Sequence, residues 1–185
     1  MQIGIVSDTH DDLDAIAAAV DVFTREGVDA VVHCGDFVAP FSVTPFDDEF
    51  EFYAVRGNND GEWNVQSTVE SFGEYLGETG VLRFSTTDTD DSGDRDAIDV
   101  AVTHGTSDVV VDALVDCGDY DYVFHGHTHA HGVERRGGTV RINPGGRPIP
   151  VDGADDAFRV ATLDVSRAVD DPVGAVDHHK LPPSG

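Results

Sequence analysis

Short apolar runs that end in polar residues recur along the first half of the chain. QIGIVS (2–7) suits a buried strand. LDAIAAAVDVFTREG (13–27) follows, with Leu13, Ile16, Ala17, Val20 and Phe23 at helical spacing and Gly27 placed as a C-terminal stop. DAVVHC (29–34) predicts a second strand and EFYAVR (51–56) a third. Between them, VAPFSVTPFDDEF is broken by Pro40 and Pro45 and predicts a short helix or loop. The order strand–helix–strand–(helix)–strand predicts parallel pairing with right-handed crossovers. WNVQSTVESFGEYLG (63–77) reads as mixed or helical.

From about residue 79 the pattern shifts. GVLRFST and AIDVAVT alternate as strands, with TDTDDSGDRD (87–96) between them as a solvated hairpin. SDVVVDALVDCG (107–118) suits a helix ending near Gly118, and DYVF (121–124) a strand. GVERRGGTVRIN (132–143) carries a hairpin signal, with Gly137-Gly138 at the turn. FRVATLDV (158–165) is another strand, and the tail from Pro172 adds an edge strand before it frays. No repeat or linker divides the chain. Residues 1–185 read as one α/β domain, parallel in its first part and more antiparallel in its second.

Composition sharpens this picture. An apolar fraction of 39% supports an ordinary core. No apolar run approaches the roughly 18 residues of a membrane span, and the N-terminus reads as a strand, not a signal peptide. Cys34 and Cys117 are the only cysteines, without metal-type spacing; they read as two reduced thiols of a cytoplasmic protein. Asp plus Glu number 36 against 11 Lys plus Arg, a formal charge of −25, and Lys180 is the only lysine. Because the acids are interspersed with apolar strands, they read as a solvated surface and not as a disordered chain. Such a surface repels itself in dilute salt and is screened at molar salt, which points to a halophilic archaeon. It also argues against nucleic acid as a partner.

The candidate chemistry lies where the strands end. Asp8 and His10 follow the first strand, Asp36 the second and Asn58 the third. His104 follows the AIDVAVT strand, and His127 and His129 follow DYVF. Open α/β sheets bind ligands in the crevice at such ends. Two carboxylates, an amide oxygen and four imidazoles, with no thiolate, suit first-row divalent ions: Mn²⁺ first, with Ni²⁺, Fe²⁺ or Zn²⁺ as alternatives. Seven ligands exceed one tetrahedral site and fit two adjacent ions bridged by a carboxylate. Ions about 3.5–4 Å apart generate hydroxide near neutral pH and clamp a phosphoryl group.

In order, DTH (8–10), GD (35–36), GNND (57–60), THG (103–105) and GHTH (126–129) resemble the motifs of the calcineurin-like metallophosphoesterases. The resemblance is to their small single-domain bacterial and archaeal phosphodiesterases, and NPGG (143–146) is similar to the family's usual NPGS. It covers residues 1 to about 165. The resemblance implies a four-layer α/β/β/α sandwich and two metal ions. Asp8, His10 and His129 would hold the first ion, Asn58, His104 and His127 the second, and Asp36 would bridge them. It implies in-line attack on phosphorus by a metal-activated hydroxide, in which Asp36, Asn58 and His104 carry the chemistry, on a small phosphate ester. Small relatives often form dimers or tetramers.

Several residues keep two readings. Asp8 could cap the helix that follows, and Asp36 could close a turn. Asn59 stands where larger relatives carry a histidine that protonates the leaving group, which an amide cannot do. Asp60 could brace the loop or a histidine, or touch substrate. Arg56 and Arg147 could contact phosphate or pair with a carboxylate. Gly146 replaces the usual serine. His33 and His125 read as supports, His131 as a neighbour of the pocket, and His178 and His179 as solvated. Against the phosphoesterase stand two other functions: a protein-binding scaffold, like the retromer subunit of this fold, and a nuclease. The complete ligand set weighs against the scaffold, and the acidic surface against the nuclease.

The charge balance gives a test of its own. The melting temperature is expected to be higher in molar KCl than in dilute buffer, and equal values would remove the inference of a salt-adapted protein.

Overall fold

The computed structural model of the chain describes residues 1–85 and 97–183. The strands are β1 (Gln2–Val6), β2 (Ala30–His33), β3 (Glu51–Ala54), β4 (Glu74–Tyr75), β5 (Thr79–Ser85) and β6 (Ala97–Thr103). β7 (Tyr122–Phe124), β8 (Gly132–Arg136), β9 (Thr139–Asn143), β10 (Arg159–Asp164) and β11 (Val176–Lys180) complete the set. The α-helices are α1 (Leu13–Glu26), α2 (Glu62–Val69), α3 (Asp108–Cys117) and the single turn α4 (Val165–Ala168).

The strands form two sheets, ordered β11-β10-β1-β2-β3-β4 and β5-β6-β7-β9-β8. Between them lies one apolar layer, in which Ile3 and Ile5 of β1 and Leu163 of β10 meet Val100 and Val102 of β6, Phe124 of β7 and Ile142 of β9. Alternate residues face outward. Val6, Val31 and Phe52 pack under α1, α2 and the two 3-10 turns (Pro40–Ser42 and Thr44–Phe46). Ala101 and Val123 pack under Val111 and Val115 of α3. The layers therefore run helix, sheet, sheet, helix, as the resemblance implies. Each inner strand is apolar on both faces because both are covered.

The parallel start is as the pattern predicts: β1, β2, β3 and β4 pair in parallel. The second part is more antiparallel, as expected, with β5–β6, β8–β9, β1–β10 and β10–β11 pairing that way, but it keeps a parallel centre. β6, β7 and β9 are parallel to one another, and only β5 and β8 run antiparallel at the edges of that sheet. The last two strands return to the first sheet, β10 pairing antiparallel with β1. α3 occupies the β6–β7 connection and lets those strands run the same way. The hairpin expected at 87–96 lies outside the described residues, although the strands flanking it pair antiparallel.

α1 starts at Asp12, whose carboxylate accepts from the Ala15 N–H at 3.0 Å, and stops at Gly27 in the left-handed region (φ 65°). Its buried stripe is Ala15, Ile16, Ala19, Val22 and Phe23. The expected stripe shared only Ile16 and Phe23 with it, and Leu13 lies 47% exposed. Two alanines facing the sheet let the helix settle closely, which rotates the larger Leu13 outward. His178 and His179 are not simply solvated. They lie on β11, half-buried, bonded to the Asn143 carbonyl and the Thr162 hydroxyl at 2.9 Å each. Among the described residues, no helix is long and apolar enough to cross a membrane.

Candidate metal centre

All seven expected ligands fall just past strand ends on one rim of the sandwich. The first sheet contributes Asp8, His10, Asp36 and Asn58, and the second contributes His104, His127 and His129. The β1 and β2 loops stay in step beyond their strands: Asp8 N–H donates to the Gly35 carbonyl, His10 N–H to Asp36 and Asp11 N–H to Phe37, at 3.0–3.1 Å. The backbone leaves ordinary conformations to do this. Among the described residues, the non-glycine residues with positive φ are Asp8, His10, Asp11, Asp36, Val38, His127 and His129. Each costs roughly 1–3 kcal/mol and persists only where its surroundings enforce it. That the expected ligands dominate this set marks the rim as the place where strain is concentrated.

Two glycines permit the approach of the loops. A Cβ at Gly57 would lie 2.1 Å from the Asp36 nitrogen and carboxylate, and one at Gly126 would lie 1.8 Å from Ser7 Oγ. GN and GH are therefore packing requirements as much as turn signals.

The side chains form two overlapping clusters. Ligand atoms of Asp8, His10 and His129 lie within 4.8 Å of one another, and so do those of Asp8, Asp36 and His104. Asp36 Oδ2 sits 3.5 Å from His10 Nε2 and 3.4 Å from His104 Nε2, between histidines expected to serve different ions. Asn58 Oδ1 is 3.0 Å from His104 Nε2. His127 stands outside both clusters; its ring packs 5.2 Å from that of His104, and its N–H donates to Asp8 Oδ2 at 2.9 Å.

Backbone carbonyls fix two of the imidazoles. His104 Nδ1 lies 2.8 Å from the Cys34 carbonyl and His129 Nδ1 lies 2.6 Å from the Arg147 carbonyl. A carbonyl only accepts, so each Nδ1 carries a hydrogen, and each Nε2 faces a carboxylate, His104 toward Asp36 and His129 toward Asp8, at 3.4 Å. His33 supports the floor. It accepts from the Gly35 N–H through Nδ1 (3.1 Å), donates through Nε2 to Thr9 Oγ1 (3.3 Å), and stacks on Phe37. Complete burial holds its pKa well below the usual histidine value, so it is a neutral brace.

The two carboxylates differ in their surroundings. Burial raises Asp36, but His104 and two donors from Asn59, its N–H at 2.8 Å and Nδ2 at 2.7 Å, outweigh this and hold it well below the carboxylate range. Burial dominates at Asp8 and pushes its pKa up despite His104 and His129. Asp8 Oδ1 and His10 Nε2 are buried without a hydrogen-bond partner. A buried acceptor-only oxygen and a ring nitrogen left unmatched within one cluster fit a cation, which would supply the charge and the bonds both lack.

Other residues resolve as supports. Asp60 accepts three backbone N–H bonds, from Asp36 (3.1 Å), Val38 (2.9 Å) and Gly57 (2.7 Å), so it braces the loops. Helix capping by Asp8 is ruled out, since Asp12 does that work. His125 bonds the neighbouring Gly126 carbonyl at 3.3 Å, not a ligand, and burial lowers its pKa to about 4. His131 pairs with Asp155 at 2.7 Å, and Arg56 pairs with Glu78 at 3.2 Å on the surface. Gly146 has no room for a side chain, because its Cβ would lie 2.6 Å from that of Asp8. Sequence reasoning passed over Asn143, which is buried and bonds the Gly126 carbonyl, Thr128 Oγ1 and the Gly145 N–H at 2.9–3.0 Å. Its place in NPGG, at a strand end, was the available signal. It also passed over Asp11, whose carboxylate accepts from Ala39 N–H and Ser42.

Similarity to known proteins agrees with this geometry. The profile of the calcineurin-like phosphoesterase superfamily domain matches residues 1–168. A phosphodiesterase of Methanocaldococcus jannaschii is 36% identical over 146 residues, which is 78% of this chain and 83% of that protein. The solved structure of an archaeal phosphodiesterase superposes with a TM-score of 0.79 at 29% identity, covering 98% of this chain and all of that one. Vps29 of Entamoeba histolytica matches at a TM-score of 0.64 and 18% identity over 98% of each chain, a likeness of fold alone.

The Asp60 brace can be tested directly. Asp60→Ala leaves three backbone donors unmatched and is expected to cost about 2–4 kcal/mol in urea unfolding. It is also expected to weaken Mn²⁺ binding, followed by calorimetry, about 10–100-fold. Asp60→Asn, which keeps one acceptor oxygen, should lose less on both measures.

Proposed function

The chain belongs to the calcineurin-like phosphoesterase superfamily, and from that premise we propose that it is a metal-dependent phosphodiesterase of small phosphate esters with a dinuclear centre. The observation that carries this reading is the pair of unmatched buried atoms, Asp8 Oδ1 and His10 Nε2, inside a convergent set of carboxylates and imidazoles. In it Asp8, His10 and His129 hold one divalent ion, Asn58, His104 and His127 hold the other, and Asp36 lies between them. The absence of thiolate favours Mn²⁺, with Ni²⁺, Fe²⁺ or Zn²⁺ as substitutes. Bound ions would supply an activated hydroxide and neutralise the phosphoryl oxygens.

The chain's own residues do the rest. The Cys34 and Arg147 carbonyls orient His104 and His129 so that Nε2 faces the site. Asn59 holds the Asp36 carboxylate in place through its backbone N–H and its side-chain amide. Asn59 cannot donate a proton to a leaving oxygen, so departure depends on the leaving group's own acidity. A cytoplasmic setting suits the free Cys34 and Cys117. Nothing in the site favours the scaffold or nuclease readings.

Two measurements test this. A panel of phosphomonoesters and diesters with Mn²⁺, Ni²⁺ and Zn²⁺ in high salt should show diester hydrolysis that chelation abolishes, and Asp36→Ala should reduce kcat by at least about 100-fold, the upper range for disturbing a metal site. Undiminished activity in that variant would remove the mechanism. Across a series of diesters, the rate should rise steeply as the leaving-group pKa falls, aryl far above alkyl; a flat series would mean that a proton donor exists.

A further inference from the structure

A cleft of about 360 Å³ lies beside the metal rim, reaching it through Arg147 and Asp12. Its apolar wall is formed by Pro148, Ala157, Phe158, Leu181, Pro182 and Pro183, and its charged residues are Arg147 and Lys180 with Asp12 and Asp156. Phe158 and Leu181 are nearly fully buried and belong to the helix-side core, so this wall is fixed by the fold. Two of the chain's 11 basic residues, including its only lysine, face this one cleft of a strongly acidic protein.

Arg147 ties the cleft to the metal centre. Its N–H donates to the Asp8 carbonyl at 3.0 Å and its carbonyl accepts from His129 Nδ1 at 2.6 Å, so its backbone is part of the centre's frame. Its side chain leaves that frame for the cleft, about half exposed, with Nε 4.0 Å from Asp12 Oδ2. The half-exposed guanidinium keeps an open face beside that ion pair, on which a flat ring can stack. A larger cleft of about 650 Å³ lies beyond His125, between α3 and the β8–β9 hairpin. There Arg136 and Arg141 are already paired with Asp112 and Glu134, which leaves that cleft no unengaged cation.

We propose that the Arg147–Phe158–Lys180 cleft binds an aromatic or heteroaromatic ring carried on one ester arm of the substrate, a role that rests on the phosphodiesterase reading of the adjoining centre. The exposed Pro148, Pro182 and Pro183 supply apolar contact at little cost in conformational freedom, because their rings are already rigid, and the buried Phe158 backs them. The Arg147 guanidinium lies over the ring face, and the Lys180 amine meets a polar or anionic substituent at the mouth.

The test compares phenylphosphonate with methylphosphonate by calorimetry on the Mn²⁺-loaded full chain in high salt. The first is expected to bind about tenfold tighter. Ala157→Phe fills the cleft and should bring phenylphosphonate to the methylphosphonate level while leaving methylphosphonate unchanged. Pro182→Ser/Pro183→Ser, at the exposed chain end, should cut the preference about threefold and decides the matter if Ala157→Phe fails to fold. Equal binding of both phosphonates by the unaltered protein overturns the ring site and leaves the phosphodiesterase reading standing. So does a preference that survives in the folded variants. If neither phosphonate binds, the reading of the metal centre falls, and this inference with it.

Discussion

Two carboxylates, Asp8 and Asp36, sit buried at the ends of neighbouring parallel strands and have to be held there with too little water to solvate them. Most of the unusual geometry on the rim answers that constraint. Parallel pairing puts both strand ends on one edge, and left-handed backbone at Asp8 and Asp36 turns their side chains across it instead of along it. Asp60 then takes the N–H groups this turning releases. Asn59 and His104 satisfy Asp36 from within the protein, whereas Asp8 keeps an unmatched oxygen. The pair is thus asymmetric: the chain donates to both oxygens of Asp36 but to only one of Asp8.

The histidines follow the same logic from the opposite sheet. Regular spacing in FHGHTHAH suggests equivalent imidazoles, but the strand ends at Phe124 and the loop separates them. His127 and His129 take left-handed conformations, His129 facing Asp8 and His127 packing on His104, while His125 and His131 turn to a neighbouring carbonyl and to Asp155. A backbone carbonyl orients His129, and another orients His104, although neither Arg147 nor Cys34 looks like a metal-site residue in sequence. Such support is hard to read because a carbonyl is present at every position and only the fold decides where it points.

What was legible followed from local chemistry. Strand ends carrying Asp, Asn or His, the Gly27 and Gly118 stops and the Gly137-Gly138 turn each depend on a few adjacent residues, and the structure has them where the pattern predicts. The rest depended on distant partners. The buried stripe of α1 was set by how closely two alanines let it approach the sheet, not by where leucine falls. The strand directions in the second sheet depended on α3 spanning one connection, and the return of β10 to β1 could not be seen from either strand alone. Asp60 kept two readings and Asn143 went unread because part of what each bonds, the Asp36 and Val38 N–H groups for one and Gly126 and Thr128 for the other, lies well away along the chain. The seven expected ligands were visible together because each sits beside its own short motif; their assignment to two ions came from the family resemblance alone, since spacing along the chain does not say how two sheets face one another.

That facing has a thermodynamic meaning. Asp8, His10 and Asp36 are carried by one sheet and His104 and His129 by the other, with the His127 N–H to Asp8 bond spanning the gap between them. A cation shared by these groups would grip both halves of the sandwich at once. Occupancy of the centre and cohesion of the two sheets are then a single linked equilibrium. Anything that lets the sheets slide, even far from the rim, would be felt as weaker metal affinity, and the catalytic rim would double as a seam.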